Sequence, residues 1–181
     1  MRHSSGWRAL WMVGILPLTL FAETVDVNVK SSGANTSMIS LDTQVKSTEK
    51  TLWDLMTDFN HQAQFLPYMT LSEVIGKEGN NLLVNQAGTI HILFWSFTMR
   101  MKQRVTEDPP GHIHFQTIEG DFKKLEGDFH LSPGPTASWT HLACQFEVEP
   151  KRYVPDWAVR MAARRYLRKM VHALAQRAEE M

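Results

Sequence analysis

Apolar and polar residues alternate along this chain at two periods, and the switches between those periods mark the elements. Ile39, Leu41, Thr43 and Val45 alternate with Ser40, Asp42, Gln44 and Lys46, which predicts a half-buried first strand. Ser47 or Thr48 then offers a hydroxyl to the free amides of a helix start. Leu52, Leu55, Met56 and Phe59 follow at helical spacing. A second short helix over residues 60–65 stops before Pro67, because a proline ring disfavours helical backbone in the residue preceding it.

From there the period is two. Strands are predicted over residues 71–77 and 82–92, with Glu78-Gly79-Asn80-Asn81 as the turn. In the next strand Leu93, Trp95, Phe97, Met99 and Met101 share one face, and Ser96, Thr98, Arg100, Lys102 and Arg104 share the other. Pro109-Pro110-Gly111 ends it, and Ile113, Phe115 and Thr117 continue the sheet. Leu125, Phe129 and Leu131 then face one way while Lys124, Glu126, Asp128 and His130 face the other. After the turn Ser132-Pro133-Gly134-Pro135, Leu142, Cys144, Phe146 and Val148 alternate in a last strand. The chain closes in a long helix over residues 155–178. Val159, Ala163, Tyr166, Leu167, Met170 and Leu174 form its apolar stripe, opposite Arg164, Arg165, Arg168, Lys169 and His172. The expected class is α+β: two short helices after the first strand, and a curved antiparallel sheet of about six or seven strands wrapped around a long C-terminal helix.

Composition narrows the function. The 181 residues suit one domain, and 19 basic against 19 acidic residues give a formal charge of zero. That balance argues against a nucleic-acid partner, which needs a basic face. Ten methionines and six tryptophans suit an adaptable apolar cavity. Cys144 is the single cysteine. It sits in an apolar strand pattern and reads as a buried thiol, so stability rests on packing and not on cross-links.

Arg2 and Arg8 precede an uncharged, mostly apolar run over residues 9–22. The run is shorter than the roughly 20 residues of a spanning helix and has the charged start and apolar middle of a secretory signal, with Ala22 before the cut. The expectation is an exported protein, periplasmic or secreted, with a signal peptide at 1–22, a flexible linker at 23–37 containing Ser31-Ser32-Gly33-Ala34-Asn35, and a ligand-binding domain at 38–181. The bulky Leu20 near the cut keeps an uncleaved membrane anchor as the alternative.

Two stretches resemble a known family. Asp58-Phe59, Phe65-Leu66-Pro67-Tyr68-Met69 and Ser72-Glu73-Val74 are similar to the helix-to-strand segment of coenzyme Q-binding proteins. Residues 120–129, Gly120-Asp121-Phe122-Lys123-Lys124-Leu125-Glu126-Gly127-Asp128-Phe129, resemble a second motif of that branch, with Asp121 where the branch has proline and Phe129 near its aromatic. The order of elements likewise resembles the helix-grip fold of START-like proteins, which include polyketide cyclases. The resemblance covers about residues 38–178. It implies a deep apolar pocket between sheet and C-terminal helix, used by relatives for lipids, quinones or polycyclic substrates.

Phe65, Pro67, Trp95, Phe97, Met99, Phe115, Leu125, Phe129, Tyr166 and Met170 are the expected lining, with Tyr166 as the polar contact. The expected function is an exported, noncatalytic carrier of a hydrophobic small molecule or lipid. The alternative is a cyclase- or dehydratase-like enzyme, for which His91, His141 and Tyr166 are the candidate groups. No cofactor or metal is expected: His91, His112, His114, His130 and His141 lack zinc-like spacing with acidic or cysteine partners. Asp121, Glu126 and Asp128 alternate with lysines and read as a solvated strand face. Trp157 and Met161 lie off the helix stripe beside Arg164, Arg165 and Arg168. Trp157 is expected to close the end of the sheet, with contact to a membrane surface as the other reading. Ile92 and Phe94 face away from Trp95 and offer a third possibility, a protein-partner face.

Overall fold

A computed structural model describes residues 25–92 and 95–181. The expected signal peptide, residues 1–22, lies outside the described residues, as do Phe94 and the side chain of Ile92 in the expected partner face. The described chain runs β1 (Asp26–Ser31), β2 (Ser37–Val45), α1 (Glu49–Thr57), α2 (Gln62–Phe65), β3 (Met69–Glu78), β4 (Asn81–Ile92), β5 (Trp95–Asp108), β6 (His112–Gly120), β7 (Phe122–Pro133), β8 (Thr140–Pro150) and α3 (Asp156–Glu179). The strands form one sheet in the order β1-β2-β8-β7-β6-β5-β4-β3, and every neighbouring pair is antiparallel. β3 to β8 is a meander; α1 and α2 carry the chain from β2, near one edge, to β3 at the other.

The sheet has eight strands, more than the six or seven expected, and the extra strand corrects the linker. Residues 26–31 do not form a tether. Val27 and Val29 are buried between exposed Asp26, Asn28 and Lys30, and the segment pairs with β2 from Asp26↔Asp42 to Ser31↔Ser37. As an edge strand it needs only one apolar face and one set of backbone partners, so two valines suffice.

Thr48 caps α1, its Oγ1 accepting from the Thr51 amide at 3.2 Å. α3 lays Ala158, Leu167, Met170, Val171 and Leu174 inward. The core includes Leu41, Val45, Leu52, Leu142, Leu167 and Leu174, all fully buried, and burying one such side chain stabilises by roughly 1.5–3 kcal/mol.

Both glycines of the family-like motif have steric reasons. Gly120 has φ +128, and a Cβ there would stand 2.2 Å from the Arg100 carbonyl oxygen. Only glycine takes that backbone at no steric cost. The corner is pinned to β5 because Asp121 N donates to Arg100 O at 3.0 Å and Arg100 N donates to Asp121 Oδ2 at 2.8 Å. A Cβ on Gly127 would lie 2.2 Å from Gln145 O and 2.3 Å from Phe146 Cβ, so its lack of a side chain lets β7 and β8 approach.

Candidate functional site

Strand parity and the stripe of α3 leave a space between them that side chains do not fill. The cavity measures about 930 Å³ and is partly open to solvent. Its floor comes from the inward positions of β4 to β8, its roof from α3, and one end from α1 and the α2 turn. Seven of the expected residues line it: Phe97, Met99, Phe115, Leu125, Phe129, Tyr166 and Met170. Phe115 packs on Phe129 and Phe146, with ring centroids 5.5 and 6.0 Å apart. Phe97 is 37% exposed although it faces inward, so it stands at the mouth.

The structure corrects two expected lining residues. Phe65 packs against the hydrophobic core and does not line the cavity, and Pro67 does not line it either. Their neighbours Leu66, Tyr68 and Met69 do, because the chain leaves α2 through a turn in which Tyr68 takes a left-handed backbone and strand parity does not apply. Trp95 belongs to β5 opposite Ile92, but its side chain lies outside the described ones.

Charge is sorted by depth. The charged lining residues are Arg100, Asp121, Lys151 and Arg152, and all are exposed. The buried lining is neutral. It is apolar except for Gln62, Gln86 and Gln103. Gln86 Nε2 donates to Gln62 Oε1 at 3.1 Å and to Ser72 Oγ at 3.2 Å, while Gln62 Nε2 donates to Met56 O at 2.8 Å. Sequence reasoning missed these glutamines, although the parity of Phe97, Met99 and Met101 runs on to Gln103.

Tyr166 lines the cavity from α3, and burial pushes its phenol up to about 12, with Cys144 nearby adding to the rise. Cys144 is buried as expected, and burial raises its thiol to about 12. Tyr68 adopts the left-handed φ of 64°, a conformation that costs a non-glycine residue about 1–2 kcal/mol. Its carbonyl accepts from Thr89 N at 2.8 Å, and its hydroxyl accepts from Arg165 Nε at 2.8 Å. Lys169 Nζ lies 5.1 Å from the ring centroid. Burial works to raise the Tyr68 pKa, but hydrogen bonds from Lys169 and Arg165 prevail and bring it below the usual phenol value.

The remaining candidates lie elsewhere. His91 is exposed, its Nδ1 2.8 Å from Ser96 Oγ, and His141 pairs with Asp42 at 3.0 Å. His112 Nε2 and His114 Nδ1 lie 2.8 and 3.0 Å from Asp128 Oδ1, and the His112 and His130 rings stack at 4.6 Å. These groups sit at positions whose strand parity is opposite to the cavity lining. Among the described residues, no group of three or more His, Cys, Asp or Glu side chains is placed to hold a metal ion. Trp157 is 46% and Met161 38% exposed. Both residues line a shallow surface depression with Arg160, Arg164, Arg165, Arg168 and Lys169.

A family model described as polyketide cyclase / dehydrase and lipid transport matches residues 45–175. Among solved structures, the chain is similar to the ZhuI aromatase/cyclase of Streptomyces sp. R1128, at 14% identity and TM-score 0.67, over 80% of this chain and 94% of that one. It is similar to a START superfamily protein of Mycobacterium smegmatis at 23% identity and TM-score 0.65, over 79% and 97% of the two chains. It also resembles a STAR-related lipid transfer protein of Xanthomonas axonopodis at 11% identity and TM-score 0.58, over 84% and 98%. No curated protein matches the chain.

Proposed function

Because the chain belongs to the polyketide cyclase/dehydrase and lipid transport family and has a START-like helix-grip fold, we propose that it is a noncatalytic carrier of a hydrophobic small molecule or lipid. The observation that carries this reading is the cavity of about 930 Å³ whose buried lining is uncharged. Sites for small ligands run to roughly 300–1,000 Å³ and are mostly apolar with a few placed polar groups. Phe97, Met99, Phe115, Leu125, Phe129 and Met170 supply the apolar contact, and the Tyr166 hydroxyl supplies a polar one. Binding draws its free energy from apolar surface leaving water.

The likeness to an aromatase/cyclase supports the second reading, an enzyme acting on an apolar polycyclic or polyketide-type substrate. Of the three groups put forward for it, only Tyr166 lines the cavity. A phenol at about 12 is far from the near-neutral value that suits a general acid or base, so the carrier reading is the stronger.

Export is part of the proposal and rests on the sequence pattern of residues 1–22. Mass measurement of the protein from its native host should give a chain starting at Glu23; an intact Met1 terminus would leave the anchor alternative. The basic outer face of α3, with Trp157 and Met161 exposed beside it, suits contact with an anionic lipid surface.

The carrier reading is tested by purifying the protein from its native host and analysing the organic extract by mass spectrometry. An apolar compound bound in near-equal amount is expected. Recovery of none, together with failure to bind any member of a lipid panel, contradicts it.

A further inference from the structure

Among the described residues, one buried glutamine on the cavity wall makes no side-chain hydrogen bond. It is Gln103, which is 7% exposed. The other two buried glutamines are tied to each other, to Ser72 and to the Met56 carbonyl. Thr117 pairs with Gln103 across β5 and β6, and its buried Oγ1 also lacks a partner. Buried amides are almost always hydrogen-bonded. The Gln103 amide, on the wall of an open cavity, takes its partner from whatever fills that cavity.

We propose that Gln103 is the polar anchor of the cavity and selects ligands whose buried end is a neutral hydroxyl or carbonyl group. This rests on the carrier reading and names the ligand class. A glutamine amide offers two N–H donors and one carbonyl acceptor. A hydroxyl matches both kinds, and a carbonyl matches the donors. An ionised phosphate or carboxylate does not suit this end: it would shed its hydration with no buried cation to meet it. The charged lining residues Arg100, Lys151 and Arg152 are all exposed, so an ionised group is held at the rim and the neutral polar end goes in.

The test compares 9-phenanthrol with phenanthrene, probes of nearly one shape that differ by a hydroxyl. Wild-type protein should bind 9-phenanthrol about tenfold more tightly, the factor for one good neutral hydrogen bond. Gln103→Met keeps the length and removes both donors and acceptor. It should erase that preference, the ratio of the two affinities being the readout, and melt no lower than wild type, since it deletes an unpartnered polar group. In the wild type itself, the Gln103 side-chain amide signals should shift with 9-phenanthrol and not with phenanthrene, a readout independent of whether the variant folds. Equal affinity for the two probes, or a preference that survives in Gln103→Met, overturns the anchor while the carrier stands. If neither probe binds the wild type, the anchor is overturned, and the carrier reading is decided separately by the native extract and the lipid panel.

Discussion

Arg165 Nε donates to the Tyr68 hydroxyl at 2.8 Å, tying the middle of α3 to the chain just before β3. Tyr68 lines the cavity and has a left-handed backbone, while Arg165 lies on the outer face of the helix roof. Tyr68→Phe removes the acceptor. We expect a stability loss of about 0.5–1.5 kcal/mol by chemical denaturation, and ligand release faster by about 2–10-fold in stopped flow. Unchanged release would mean that this latch does not control the roof.

The tyrosines also report on the cavity spectroscopically. Titration followed at 295 nm should show Tyr68 ionising below the ordinary phenol value and Tyr166 at about 12. The two shifts have opposite consequences for stability. Tyr68, lowered, adds stability as pH rises from its folded value to the unfolded one near 10. Tyr166, raised, gives a stabilisation that is full below about 10 and is lost as pH climbs through 12. Tyr166→Phe should delete the late step and no other; its persistence would place the buried phenol elsewhere.

On the outer face, burial works to raise the Asp128 pKa, but hydrogen bonds from His112 and His114 outweigh it and hold the carboxyl below its usual range. A depressed carboxylate stabilises the fold above its unfolded value, near 3.9, and that stabilisation is lost as pH falls through the lower folded value. Glu126 Oε1 lies 4.0 Å from His114 and shares the cluster. Asp128→Asn should therefore flatten the acid limb of stability below about pH 4. The expected difference at pH 6 is only about 0.2–1 kcal/mol, because the groups are partly solvated. An acid limb identical to wild type would contradict the pairing.

Gly127→Ala should destabilise the protein by about 3 kcal/mol, the upper end of overpacking costs. The atoms a Cβ would meet include Gln145 O and Phe146 Cα, both backbone, which cannot swing aside as a flexible side-chain tip does. A loss under about 0.5 kcal/mol would show that β7 and β8 separate easily.

The pattern of residues carried most of this architecture. From Ile39 onward every strand with regular alternation, and the stripe of α3, stands where period and turn chemistry place it. What escaped was β1, whose two valines sit among Asp, Asn, Lys and Ser; a polar edge strand is legible only through the partner that pairs with it. The cavity wall was legible wherever an apolar side chain marked the inner face, as at Met99 and Leu125. It was illegible at Gln86 and Gln103, because a polar residue at an inward position reads as solvated until the fold shows no water-facing side. Phe65 and Pro67 were misplaced by one step at the exit of α2, where the period changes and parity has no fixed origin.

The central claim is that an apolar guest lies between the sheet and α3, and the methionines locate it. Met56, Met69, Met99, Met101 and Met170 line the cavity, while Met161 and Met181 are exposed. Methyl NMR of methionine-labelled protein during titration with 9-phenanthrol reads each site at once. Shifts concentrated on the five lining methyls, with Met161 and Met181 still, are the predicted result. Lining methyls that stay in place while Met161 and Met181 move would put the guest on the surface and contradict the account.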